Sequence, residues 1–275
     1  MPGDPLAGFL LAAAGKLDAT VLLALFASLA LYSAGLLLND LFDLEEDRRE
    51  RPQRPLPSGT ADPQTVRHVA TALLVVGNAF ALVAGLNALF VAFGLTGAIV
   101  AYNAGAKRIP VIGALVMGLC RGLSLLLGAT AATATPVPLA FIAAAVVTLY
   151  IATVTNLARY ETHAASPLWA RLLPALPLIA GLPAFVGHGG NGWQYPGPAT
   201  FALALAFVLL EVARLCRRPA PPLPPVIGSL IRALLFLQSA FCLVFRPGAA
   251  GFVCALLLIA LWPVSHAVSR RFYAS

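Results

Sequence analysis

Leu36-Leu37-Leu38-Asn39-Asp40-Leu41-Phe42-Asp43-Leu44-Glu45-Glu46-Asp47 begins as hydrocarbon and ends as carboxylate. Behind it lies an apolar run from Ala19 to Leu38. A helix needs about 20 mostly apolar residues to cross a bilayer, so the run is expected to span one, with the acids where it meets water. The pattern repeats at Val66 to Gly85, Ala88 to Ala104, Val111 to Ala132, Pro138 to Leu157, Leu168 to Gly187, Thr200 to Cys216, Val226 to Phe245 and Ala249 to Val268. Leu6 to Ala14 is too short to cross unaided: it is either a half-helix lying against its neighbours or a span whose beginning precedes this sequence. No basic residue stands before it, which speaks against a cleaved signal peptide. The fold class expected is all-α, a polytopic transmembrane bundle of about nine to ten helices.

Composition points the same way. Of 275 residues, 60% are hydrophobic and 11% charged, against about 25% charged in a soluble domain. No polar block is large enough to fold separately, so residues 1–275 read as a single membrane-embedded domain whose solvent is the lipid bilayer. Cys120, Cys216, Cys242 and Cys254 stand singly, without a CxxC pair, which argues against a disulfide framework or a zinc site. The formal charge of +7 is scattered between apolar runs without aromatic interleaving, so no nucleic-acid partner is expected.

Those cations instead report orientation. Arg48, Arg49, Arg51, Arg54 and Arg67, then Lys107 and Arg108, then Arg159 and Arg171, then Arg214, Arg217 and Arg218, and last Arg270 and Arg271 fall on one side of the alternating connections. Lys16 and Arg246 fall on the other. By the positive-inside rule the crowded side, with both termini, is expected to face the cytoplasm, with the chain in the cell inner membrane. Arg121 and Arg232 lie within spans. Arg121 sits roughly ten residues from the cytoplasmic end, about 15 Å deep at 1.5 Å per residue. A charge at that depth is expected to face a polar cavity or a partner, and Arg232 with Gln238 repeats the pattern more weakly, with Glu211 as a possible counter-ion.

If helix continues through the acids, Asp40, Asp43 and Asp47 share one face at spacings of three and four. Converging carboxylates repel, and a divalent cation relieves that repulsion; Mg²⁺ takes one or two carboxylates plus phosphate oxygens and water. A solvated helix end balanced by the arginines that follow explains the acids and arginines equally well.

The complete string is more specific. Asn39, Asp40, Asp43, Asp47, Arg54, Pro55, Pro57, Ser58 and Gly59 fill every fixed position of the first signature of the UbiA-type intramembrane prenyltransferase superfamily, which this chain resembles along most of its length. The resemblance implies Mg²⁺ held by Asp40, Asp43 and Asp47 on a polyprenyl diphosphate, with Asn39 assisting, and transfer of the prenyl group to a small-molecule acceptor. Tyr102 and Lys107, in Tyr102-Asn103-Ala104-Gly105-Ala106-Lys107-Arg108, match a second family feature, in which the lysine touches the diphosphate. A cation there offsets charge that grows as the carbon–oxygen bond breaks. Lys107, Arg108 and Arg54 also suit plain positive-inside anchoring.

The family's second Asp-rich loop is degenerate here. Its place reads Thr155-Asn156-Leu157-Ala158-Arg159-Tyr160-Glu161-Thr162-His163, with Glu161 its only carboxylate. Asn156 and Glu161 with His163 could form a reduced second site; Arg159 could replace the second metal at the diphosphate; or transfer is lost and the protein binds or transports a polyprenyl lipid without catalysis. The candidate catalytic set is Glu161, Asn156 and Arg121, with Asn39, Arg54, Lys107 and Arg159 binding substrate. A CDP-alcohol phosphotransferase is excluded because Leu44-Glu45-Glu46-Asp47 follows Asp43 where that family resembles Gly-x-x-Ala-Arg. A transporter would put ionisable residues near the midplane and broken helices in matching halves. Pro174, Pro177 and Pro183 are expected to break the seventh helix, but the polar residues gather at one face.

Overall fold

A computed structural model describes residues 2–161, 166–188, 196–217, 220–244 and 248–272. Among them the chain is all helix and connection, without a strand, and nine helical segments are long and apolar enough to cross a membrane. The helices are α1 (Gly3–Ala12), α2 (Thr20–Phe42), α3 (Leu44–Glu50), α4 (Pro63–Ala84), α5 (Leu86–Ala104), α6 (Ile112–Ala132), α7 (Pro138–Ala158), α8 (Leu168–Leu172), α9 (Leu176–His188), α10 (Pro196–Leu215), α11 (Leu223–Cys242) and α12 (Ala249–Phe272). His163, Asn191, Arg218 and Arg246 lie outside the described residues.

Most expected boundaries move by a turn, each for a local reason. α2 runs one turn beyond Leu38, because Asn39 and Asp40 at the water interface do not disrupt its backbone ladder. α4 starts at Pro63 rather than Val66: Asp62 caps it by accepting from the Thr65 amide at 2.8 Å, with Pro63 in the first turn. That amide bond holds the Asp62 carboxyl below its usual range. The seventh expected span breaks once, into a 3₁₀ turn at Leu173–Ala175 carrying Pro174. Pro177 and Pro183 lie inside α9 without ending it, which corrects the expectation of three breaks.

α1, ten residues long, packs at the centre of the bundle. Ala7 and Phe9 are wholly buried. Phe9 packs with Leu31, Ala92, Leu95 and Leu127; Ala7, Leu10 and Leu11 join the core formed by α6, α7, α9, α10 and α11. In that second core the rings of Phe185 and Phe201 stack at 4.7 Å and those of Phe185 and Phe241 at 5.1 Å. Tyr150 Oη donates to the Leu230 carbonyl at 2.6 Å, tying α7 to α11.

Lipid tails are as apolar as leucine, so helices associate by close packing, and small residues permit it. A Cβ on Gly8 would lie 1.9 Å from the Leu125 carbonyl oxygen, and one on Gly128 1.9 Å from that of Pro5, so α1 and α6 touch backbone to backbone. Gly118 and Gly122 do the same for α6 on α7, facing Thr148 and Ala144. Outward, Val83 on α4, Phe90 on α5 and Leu256 on α12 are exposed, as a lipid-facing surface requires.

Candidate functional site

At the end of α2 the backbone turns through Asp43 into α3 with helical spacing kept, since the Asp43 amide bonds the Asn39 carbonyl at 3.0 Å and the Asp47 amide that of Asp43 at 2.8 Å. Asp40, Asp43 and Asp47 therefore stand on successive turns near one face. Each meets a cation. Lys107, in the turn between α5 and α6, donates to Asp43 Oδ1 at 2.5 Å and to Asn39 Oδ1 at 3.1 Å. Arg54, on the loop after α3, donates to Asp47 Oδ2 at 2.8 Å and lies 3.7 Å from Asp40 Oδ1.

Position follows from local structure. Val111 begins α6 at φ +66°, a strained value for a β-branched residue. Gly113 lets the Lys107 backbone pack against α6, where a Cβ would come within 2.9 Å of Lys107 Cα. Asn103 bonds the Gly35 carbonyl at 3.4 Å, holding α5 on α2.

The carboxylates do not converge on one point as expected. Among the described residues no group of three His, Cys, Asp or Glu side chains is placed to hold a metal ion, because Arg54 draws Asp47, with its side chain only 8% exposed, into a pair of its own. The oxygens a hard cation could reach are those of Asp40, whose side chain is half-exposed, and those of Asp43 and the Asn39 amide, where Asp43 Oδ1 and Asn39 Oδ1 would be shared with Lys107. Two carboxylates and an amide oxygen suit Mg²⁺, which completes its shell with phosphate and water.

Behind Asn39 a cavity of about 210 Å³ opens between α1, α2, α5 and α6. Leu36, Leu95, Ile99 and Met117 give it apolar walls, and Tyr102 lines it near the mouth. Ser28 and Ser124 bond each other across it at 2.8 Å. At its deep end is Arg121, as its burial in a span suggested. Its partner is Asp4, wholly buried in the first turn of α1: Nε lies 3.1 Å from Asp4 Oδ2 and Nη2 3.4 Å from Oδ1. Gln238 donates to Asp4 Oδ1 at 2.6 Å, so it serves this network rather than Arg232. Sequence reasoning passed over Asp4; the signal was a single carboxylate opening an apolar segment.

Asn156, Arg159 and Glu161 are not part of that lining among the described residues. Asn156 is buried near the end of α7; Arg159 and Glu161 are exposed beyond it. The antiparallel register set by Gly118 on Thr148 and Gly122 on Ala144 brings Asn156 level with the start of α6. The end of α7 thus stands across α6 from the Lys107 turn. Glu211 pairs with Arg214 at 3.0 Å.

Comparison with known proteins adds three findings. The sequence model of the UbiA prenyltransferase family matches residues 5–224. The chain is 32% identical over 122 residues, 44% of its length and 43% of the relative's, to a digeranylgeranylglyceryl phosphate synthase of Metallosphaera sedula, and 36% identical over 99 residues, 36% of each chain, to that of Thermococcus gammatolerans. The matched part spans less than half the length of these relatives. In three dimensions the chain is similar to a structure described as digeranylgeranylglyceryl phosphate synthase in membranes, with TM-score 0.70, 20% identity and coverage of 86% of this chain and 90% of the other. It is also similar to a UbiA homologue from Aeropyrum pernix K1, with TM-score 0.68, 16% identity and coverage of 87% and 94%. These likenesses show the fold.

Proposed function

The chain belongs to the UbiA prenyltransferase family, and from that premise we propose that it transfers a prenyl group from a polyprenyl diphosphate to an acceptor held within the membrane. The observation that carries this function is the pair of cation–carboxylate contacts, Lys107 with Asp43 and Arg54 with Asp47, at the mouth of an apolar cavity. Diphosphate needs charge compensation and a prenyl chain needs hydrocarbon; the two stand side by side here.

Asp40 and Asp43, with Asn39, would hold Mg²⁺, which when bound offsets the diphosphate's negative charge and favours its departure. Lys107 and Arg54 donate to phosphate oxygens as the allylic carbon–oxygen bond breaks and its electron pair leaves with the diphosphate. Asp47 acts through Arg54, which it orients. The prenyl chain lies between Leu36, Ile99 and Met117, sheltering the allylic cation from water until the acceptor captures it and releases a proton. Arg121 closes the deep end of that space, held by Asp4. Asn156, Arg159 and Glu161, one helix away from Lys107, serve the acceptor side, with Glu161 taking the proton. The relatives' name supports a glyceryl phosphate lipid as the acceptor to try first. The active face is cytoplasmic, at the cell inner membrane.

A second function, binding or moving a polyprenyl lipid without transfer, is favoured by one observation: among the described residues no group of three His, Cys, Asp or Glu side chains is placed to hold a metal ion. One experiment separates the two. The purified chain with Mg²⁺ and geranylgeranyl diphosphate is expected to bind the diphosphate and to alkylate an offered acceptor lipid, detected by mass spectrometry. Asp40→Ala and Asp43→Ala should abolish binding. Glu161→Gln should lower turnover on the order of 10², the usual scale for a proton-transfer group, and leave binding intact. Binding without transfer to any acceptor supports the second function; equal binding by wild type and both aspartate variants sinks the first.

A further inference from the structure

The cavity behind Asn39 ends at one level on three helices. On α2 its lining runs from Asn39 to Ser28, on α6 from Met117 to Ser124 and on α5 from Asn103 to Leu95. At 1.5 Å per residue, Ser28 lies about 16 Å below Asn39, and Ser124 about 18 Å below the start of α6 at Ile112. The two serines meet there, their hydroxyls 2.8 Å apart and their residues 2% and 6% exposed. One turn further on, Ala24 on α2, Ala92 on α5 and Leu127 on α6 are wholly buried and pack in one cluster with Phe9 of α1. Beneath the serines the bundle is close-packed.

A hydrogen-bonded floor resists a hydrocarbon tail more firmly than a seam of leucines would. To push past it, the tail would have to part Ser28 from Ser124 and leave two buried hydroxyls unpaired, and hydrocarbon offers neither donor nor acceptor in exchange. Asp4 and Arg121 beside them are held in the same way: Arg121 Nε lies 3.1 Å from Asp4 Oδ2, and Gln238 donates to Asp4 Oδ1 at 2.6 Å. Parting that pair would strand a buried charge. The walls above the floor, Leu36, Ile99 and Met117, are apolar. The polar groups at this depth thus mark the end of the tail's path.

We propose that this floor limits the length of the prenyl tail, three isoprene units filling the space between the diphosphate and the Ser28–Ser124 bond. The inference rests on the prenyl-diphosphate reading of the site and adds a substrate limit to it. Carbon–carbon bonds of about 1.5 Å carry an extended tail about 5 Å per isoprene unit, so three units span about 15 Å. That matches the depth from Asn39 to the serines, and a fourth unit has no place below them. A geranylgeranyl tail is accommodated only by folding or by leaving sideways past Tyr32 and Leu36, which are 39% and 52% exposed. Ser28 and Ser124 touch the third unit alone and determine specificity there.

Binding of geranyl, farnesyl and geranylgeranyl diphosphate to the full chain with Mg²⁺ in one detergent, each corrected for uptake by empty micelles, tests the limit. Wild type is expected to bind all three and to hold farnesyl diphosphate about tenfold more tightly than geranylgeranyl diphosphate, the scale of overpacking. Ser124→Leu raises the floor and should weaken farnesyl binding about tenfold while geranyl binding falls no more than about twofold. A general loss of structure would not give that split by length. Ser28→Leu makes the same change from α2 and decides the matter should Ser124→Leu fail to fold. Leu119→Phe, on the exposed face of α6, should alter none of the three. Geranylgeranyl diphosphate bound by wild type as tightly as farnesyl diphosphate would overturn the limit. So would equal losses at geranyl and farnesyl in the serine variants, or unchanged farnesyl binding in them. Failure of wild type to bind any of the three would overturn the prenyl-diphosphate reading itself, and the limit with it.

Discussion

Arg121 and Asp4 show how one residue's position in a membrane helix constrains another far away in the chain. The carboxylate is wholly buried, and its charge is tolerable only because a guanidinium and the Gln238 amide face it. Removing one partner of a buried pair costs about 3–5 kcal/mol, whereas removing both together is often nearly neutral. Arg121→Leu is therefore expected to lower the melting midpoint in detergent by on the order of 10 °C, at roughly 2–4 °C per kcal/mol for a chain of this size. Asp4→Leu combined with Arg121→Leu should recover most of that loss. Additive losses in the double variant would mean the two residues do not act as a pair. Lys107 and Arg54 form the same kind of contact with more exposure, the Arg54 side chain at 38% and that of Asp43 at 20%.

Single helices were legible where their signals are local. Apolar runs and the break at Pro174 were read from neighbouring residues; the start of α4 at Pro63 was missed, although Asp62 and Pro63 are an equally local signal. Glycine placement on α6 follows from contacts between helices, and it decides how closely α1 and α7 approach. A methyl group on Gly128 meets the Pro5 backbone, which cannot move aside like a flexible side chain. Gly128→Ala is thus expected to push α1 outward and cost roughly 1–3 kcal/mol, the scale of overpacking. Gly97→Ala, with nothing within 4 Å of the added carbon, should be neutral or stabilising by up to about 1 kcal/mol, since alanine is the better helix former. Thermal unfolding of the two variants in one detergent decides the matter; equal midpoints would show that α1 does not depend on that contact.

For the whole molecule, the distribution of Lys and Arg predicts that the Asp-rich loop and the connection between α6 and α7 face opposite sides of the membrane. Single cysteines at Ser58 and Thr135, both exposed, in a chain lacking the four native cysteines, should react with an impermeant reagent from opposite sides. Labelling of both from one side would mean that the order of spans is wrong. Span number and the Asp-rich signature could be read along the chain because each depends on residues within a few turns of one another. Lys107 was legible too, from its place after Tyr102, though not its choice of Asp43 over Asp40. That Asp47 turns to Arg54 instead of joining a three-carboxylate cluster, that α1 plugs the bundle, and that Asp4 meets Arg121 and Gln238 were decided only by the packed bundle. Asp47 and Arg54 are only seven positions apart and meet because the loop after α3 folds back. Asp4, by contrast, lies 117 positions from Arg121 and 234 from Gln238. Which long-range pairing forms depends on the crossing and depth of helices in contact, a property of close-packed surfaces that no local pattern of apolar and charged residues encodes.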